Sequence, residues 1–82
     1  MNTQKEVLAI LDEVLSLRGR AATFGADTPL LGAIPELDSM AVVSVITTLE
    51  ERFGFAVEDD ELDGQTFETV GTLVAFVDRK LQ

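Results

Sequence analysis

The chain has 82 residues, 46% of them hydrophobic, which suits one small domain spanning residues 1–82 with a single buried core. It has no cysteine and no histidine, which excludes disulfides, thiolate metal sites and a cysteine nucleophile, and removes the commonest general base and metal ligand. Fifteen acids against 6 bases give a net charge of -9, which repels nucleic-acid phosphates and anionic membranes, so neither is expected as a partner.

The first predicted element is a helix over roughly Thr3 to Leu17, with apolar residues at Val7, Leu8, Leu11, Val14 and Leu15 in a helical stripe. Thr3 stands three residues before Glu6, the capping-box spacing, and Gly19 marks the helix end. Residues 19 to 37 contain Gly19, Gly25, Pro29, Gly32 and Pro35, which predicts a long irregular loop. Its Leu30, Leu31, Ile34 and Leu37 are expected to pack down on the core.

Asp38 is a strong N-cap for a second helix beginning at Ser39. Met40, Val43, Ile46, Leu49 and Phe53 recur at helical spacing, and Gly54 stops the run. The β-branched residues Val42, Val43, Val45, Ile46, Thr47 and Thr48 argue for a strand, but a run reaching Phe53 is too long for one. Residues 58 to 63 suit a short helical turn with Leu62 pointing inward. Thr66 or Thr69 can cap a last helix with apolar residues at Val70, Leu73, Val74, Val77 and Leu81, and Phe76 at the margin. Arg79 and Lys80 in its final turn complement the helix dipole. Three main helices and one short one make an all-α bundle.

Charge is unevenly spread. The first twenty residues balance three acids with three bases, whereas residues 21–78 carry twelve acids and one base, Arg52. That face suits encounter with a basic partner, and it equally keeps a small protein in solution. Asp59, Glu61, Asp63 and Gly64 resemble the start of an EF-hand loop, but position twelve is Val70 where a bidentate Glu is required, so no metal site is expected. The plainer reading is a solvated loop with a turn at Asp63–Gly64. Ser16, Ser44, Thr47 and Thr48 have no base to activate them, so hydrolase chemistry fails. No run is long enough to span a bilayer and the N-terminus lacks a signal-peptide pattern, so the expectation is a cytoplasmic chain without enzyme machinery.

Leu31-Gly32, then Leu37-Asp38-Ser39-Met40, then Leu49-Glu50-Glu51-Arg52-Phe53-Gly54, with the acidic segment behind them and the closing Thr69-Val70-Gly71-Thr72-Leu73, resemble the acyl carrier protein family. The likeness runs over nearly the whole chain and is weakest in the first helix. It implies a four-helix bundle of three main helices and one short one, with a long first loop. It also implies that Ser39 takes 4'-phosphopantetheine covalently from coenzyme A. A phosphopantetheinyl transferase (holo-ACP synthase) performs that step, and acyl-activating ligase, acyltransferase or synthase enzymes then use the arm's terminal thiol. By the same resemblance Asp38, Met40, Glu50 and Glu51 contact partner enzymes. Val43, Ile46, Leu49 and residues around Leu62 either line a shelter for part of an acyl chain or are ordinary core.

The departures from the family pattern are specific. Glu36 stands where the family commonly has Gly, Pro35 expands the segment from Gly32 to Asp38, Met40 replaces Leu, and Ala41-Val42-Val43-Ser44 replaces an acidic stretch. They point to a carrier of a specialised rather than housekeeping pathway. The alternatives are a peptidyl or aminoacyl carrier of the same fold, and an unmodified acidic adaptor that binds a basic partner. A monomer is expected, since no apolar stripe is left over after one bundle is packed.

Overall fold

The computed structural model describes residues 2–61 and 64–81, except for the side chain of Asp59. Leu62 and Asp63 lie outside the described residues, and with them the inward leucine and the Asp63–Gly64 turn expected from the sequence. Among the described residues three α-helices follow in chain order: α1 (Thr3–Leu15), α2 (Ser39–Phe53) and α3 (Val70–Leu81). Two 3₁₀ turns, Arg20–Thr23 and Asp59–Glu61, sit in the connections. The second falls inside the expected short helix. The first lies in the segment expected to be irregular. Among the described residues the only extended pairing is an isolated bridge between Pro29 and Thr69, and no helix is long and apolar enough to cross a membrane.

The cap of α1 falls one residue earlier than expected. Asn2, not Thr3, is the N-cap, and its Oδ1 accepts the Lys5 N–H at 3.1 Å. Asn and Asp are at least as good caps as Thr, so the helix takes in Thr3 as its first residue. The other end falls short of Leu17. Ser16 and Arg18 adopt left-handed φ values of 54° and 56°, followed by Gly19 at 89°. Asp12 drives this reversal: its carbonyl receives the Leu17 N–H at 3.0 Å, and its Oδ2 receives those of Gly19 at 2.9 Å and Ala21 at 3.3 Å. One carboxylate therefore closes α1 and starts the first 3₁₀ turn, while Leu17 goes into the core.

α1 packs against both α2 and α3. It contributes Val7, Ile10, Leu11 and Leu15, meeting Val45, Ile46 and Leu49 from α2 and Val70, Leu73, Phe76 and Val77 from α3. Leu8 and Val14 are only partly covered. In α3, Phe76 was expected at the margin and is instead 4% exposed, whereas Leu81, at the helix end, is 40% exposed.

α2 departs most from the expected stripe. It starts at Ser39 under the Asp38 cap and stops at Gly54 (φ 77°), as the sequence implied. Yet Met40 is 76% exposed and Val43 60% exposed. The reason is angular: each residue advances about 100°, so three successive steps of three put Met40 about 180° from Leu49. The buried face is Val45, Ile46 and Leu49, with Val42 and Phe53 partly covered.

The loop between α1 and α2 is a fixed structure. Leu30, Ile34 and Leu37 are buried as expected, but Leu31 is 46% exposed. Backbone pairing decides between the neighbouring leucines: the N–H groups of Leu30 and Leu31 donate to Glu68 O (3.0 Å) and Phe67 O (2.9 Å). In return Val70 N–H donates to Thr28 O at 3.0 Å and Gly71 N–H to Ala26 O at 2.8 Å. Thr69 is the cap of α3, through a reciprocal exchange with Thr72: Thr69 Oγ1 accepts the Thr72 N–H at 3.2 Å, and Thr72 Oγ1 accepts the Thr69 N–H at 3.0 Å.

Gly71 is where loop and helix come closest. A Cβ there would meet Ala26 O at 3.0 Å and Ala26 Cβ at 3.5 Å. Backbone cannot swing aside as a flexible side chain can. Overpacking costs about 1–3 kcal/mol, while alanine regains at most about 1 kcal/mol of helix propensity. Gly71→Ala is therefore expected to lower stability by roughly 1 kcal/mol, or about 4–8 °C in melting temperature. Gly25→Ala, with nothing within 4 Å of its Cβ, is the control. Equal melting temperatures for the two variants would refute the close-approach argument.

The Asp59–Glu61 turn is tied to the end of α3. Lys80 Nζ donates to both carboxylate oxygens of Glu61 at 2.9 Å, and Glu61 Oε1 also accepts the Glu58 N–H at 2.9 Å. The Lys80 ammonium, and then the Glu58 N–H, hold the Glu61 carboxyl below its ordinary value of 4.5. A depressed carboxyl stabilises the folded chain above its unfolded pKa, and that contribution is lost as pH falls through the lower, folded value. Thermal melts of Glu61→Gln should therefore fall less steeply than wild type as pH drops below about 5. Parallel curves would refute the linkage.

Candidate functional site

Ser39 stands at the first position of α2 and is exposed, as are Asp38 before it and Met40 after it. Two features place it. Leu30, Ile34 and Leu37 are sunk in the core at spacings of four and three, with Ile34 N–H bonded to Leu30 O and Leu37 N–H to Ile34 O, both at 3.0 Å. Two consecutive turns thus deliver the chain to Asp38. Asp38 then caps the helix: its Oδ1 accepts the Ala41 N–H at 2.9 Å and its carbonyl the Val42 N–H at 2.9 Å. The N–H groups of Ser39 and Met40 keep no partner among the described residues, as the start of a helix dictates. Ser39 therefore combines an accessible hydroxyl with two unpaired donors and the positive end of a helix dipole, an arrangement that accepts an anionic ester.

The loop carries one further brace. Arg20 forms an ion pair with Glu36, and its Nε donates to Leu17 O at 3.2 Å. The backbone N–H of Glu36, and then the Arg20 guanidinium, hold the Glu36 carboxyl below the usual carboxylate range. The charge three residues before Ser39 is thereby matched by a cation.

Comparison with curated proteins gives no match. The family model described as the phosphopantetheine attachment site matches residues 5–77. Among solved structures, the holo acyl carrier protein from Nitrosomonas europaea, solved in solution by NMR, is 57% identical, with a TM-score of 0.91 over 99% of this chain and 98% of that one. The chain belongs to the acyl carrier protein family. It is an all-α bundle of the acyl-carrier type and a carrier of covalently bound phosphopantetheine, not an enzyme.

Within this carrier the residues expected to meet partners fall into different settings. Asp38 and Met40 flank Ser39 on open surface, and Glu51 is exposed at the far end of α2. Glu50 is half-buried and turned back on its own chain, its Oε2 accepting the Val57 N–H at 2.8 Å. Beside it Arg52 reaches Glu13 at 3.2 Å, an exposed pair that ties α2 to α1. Of the residues expected to line an acyl shelter, Ile46 and Leu49 are core, whereas Val43 points to solvent and lines nothing inside.

The residue that sequence reasoning misplaced is thus the informative one. With Met40 and Val43 outward, α2 shows solvent an apolar patch beside Ser39, which corrects the expectation that no apolar surface is left over. The signal was present in the spacing: rotating each residue by 100° separates Val43 from Leu49 by about 120°. The roles of Asp12 and Arg20 had no such signal, because their partners are loop backbone and a residue sixteen positions away.

Proposed function

We propose that Ser39 is the attachment point of the phosphopantetheine arm, and that the chain presents acyl groups to the enzymes of a specialised pathway. The observation that carries this reading is the exposed Ser39 hydroxyl on the first turn of a helix whose cap is another residue, Asp38. When bound, the group supplies a terminal thiol on a flexible arm, the chemistry that holds an acyl chain as a thioester. The chain contains no cysteine, so its own side chains supply no such sulfur. It contains no histidine either, and the base that removes the Ser39 proton belongs to the transferase.

Asp38 has two effects on the site. Its carboxylate fixes the first turn and so aims the hydroxyl outward. Its charge also opposes a neighbouring phosphodiester, which keeps the arm in solvent and free to visit successive active sites. The specialised role rests on the surface around Ser39: Ser39 through Leu49 carries no charged residue, and Glu36 is matched by Arg20. The partners that follow are a phosphopantetheinyl transferase, an acyl-activating ligase, and the acyltransferase or synthase that takes the cargo.

The test is incubation with coenzyme A, magnesium and a broad-specificity phosphopantetheinyl transferase. Intact-mass measurement should show the gain of one phosphopantetheine. A protein that stays at its starting mass would overturn the assignment of Ser39.

A further inference from the structure

We propose that the loop between α1 and α2 holds a ligand site of its own, a cavity under Arg20 that takes a small monocarboxylate with an apolar body. The site does not involve Ser39, so it stands or falls independently of where the arm is attached. The cavity encloses about 290 Å³ where the first 3₁₀ turn meets residues 28–35. Its walls include Leu17, Phe24, Pro29, Ile34 and Pro35, and Arg20 is the only charged residue among the described ones that line it. Leu17 and Ile34 are buried, Phe24 is half-buried, and both prolines are exposed. The floor is therefore aliphatic, and the proline rim offers no backbone N–H to hold water.

Arg20 already holds one carboxylate. Its guanidinium pairs with Glu36, and its Nε donates to Leu17 O at 3.2 Å. A guanidinium has several N–H groups in a planar fork, which leaves donors for a second carboxylate. Two observations make this position open to exchange. The Arg20 side chain is 57% exposed within the pair, and exposed ion pairs hold weakly in water. The backbone on either side of Arg20 is also pinned, because Asp12 Oδ2 accepts the N–H groups of Gly19 and Ala21. The cation therefore stays at the mouth of the cavity whichever carboxylate it holds. One positive group over an apolar hollow matches one negative group on an apolar body. A second negative charge on the ligand is disfavoured by Glu36 beside the mouth and by the net charge of -9. The volume lies at the small end of ligand cavities, which selects acids with short carbon chains.

The experiment titrates the unmodified full chain with sodium hexanoate at neutral pH and follows the backbone amides by NMR. Saturable shifts centred on residues 17–36 are expected, with a Kd of about 1 mM. Butanoate, shorter by two methylenes, should bind about tenfold more weakly. Hexan-1-ol, with the same chain and no charge, should bind about fivefold more weakly than hexanoate. Arg20→Gln should bring hexanoate down to the level of hexan-1-ol. Glu36→Gln removes the competing carboxylate and should tighten hexanoate about threefold while leaving hexan-1-ol unchanged. Both positions are exposed, and circular dichroism confirms that the variants keep wild-type helicity. Should Arg20→Gln fail to fold, the opposite sign expected of Glu36→Gln decides alone. Equal affinity for hexan-1-ol and hexanoate in the wild type overturns the proposal. So does hexanoate binding that Glu36→Gln leaves unchanged or weakens, since a merely greasy surface would behave that way. Shifts centred on α2 instead of the loop, or no saturation by about 20 mM, also overturn it.

Discussion

Ser39→Ala should abolish the phosphopantetheine mass gain completely while leaving the melting temperature nearly unchanged. Two facts separate the effects. The Ser39 side chain takes no part in capping, because Asp38 accepts the Ala41 N–H, so the start of α2 survives the substitution. Ser39 is also exposed, and alanine is the better helix former, which places the stability change within about 0.5 kcal/mol. Ser44→Ala is the matched control: it removes an exposed hydroxyl from the same helix, away from the helix start, and should keep the full mass gain. If Ser39→Ala still gains the mass, the arm sits on another hydroxyl and the assignment falls.

The second large effect belongs to a residue with no chemistry of its own. Leu30 is fully buried and is the first of the three anchors that carry the loop to Asp38. Leu30→Ala should cost about 2–5 kcal/mol, a large part of the roughly 5–15 kcal/mol that holds a small domain together. The corresponding fall in melting temperature is roughly 10–30 °C. Leu31→Ala, next door and 46% exposed, should cost under about 1 kcal/mol. Thermal or urea unfolding of the pair is the measurement, and equal losses would show that the loop is not anchored as described. Leu30→Ala should also slow modification of Ser39 below the melting transition, because the anchor that aims the first turn of α2 is gone.

Those two leucines also mark how far the sequence can be read. The start of α2 was legible because Asp38 is a cap in its own right and an apolar run follows it. Gly54 was legible as a stop because the left-handed conformation it adopts favours glycine. The resemblance that singled out Ser39 used those same residues. Leu30 and Leu31 have identical side chains, and only pairing with Phe67 and Glu68, far along the chain, decides which one is buried. Met40 and Val43 were misplaced for a different reason: a step of three approximates the helical repeat once, and its 60° error accumulates when repeated. The early end of α1 depends on Asp12 side-chain bonds to Gly19 and Ala21, which no periodicity encodes.

The pairing of residues 26–31 with residues 67–71 has a consequence for how this molecule can be cut or spliced. The serine proposed to take the arm is moored by stretches of chain drawn from opposite halves of the polypeptide: α2 bears it, but the stretch leading into α3 holds the approach to it. A fragment ending after Gly54 would keep the serine, its cap and the whole of α2, yet lose every backbone bond from the later segment that fixes the approach to it. Grafting this carrier onto another protein therefore means transplanting it through α3, with fusion joints placed outside both ends of the bundle rather than within it.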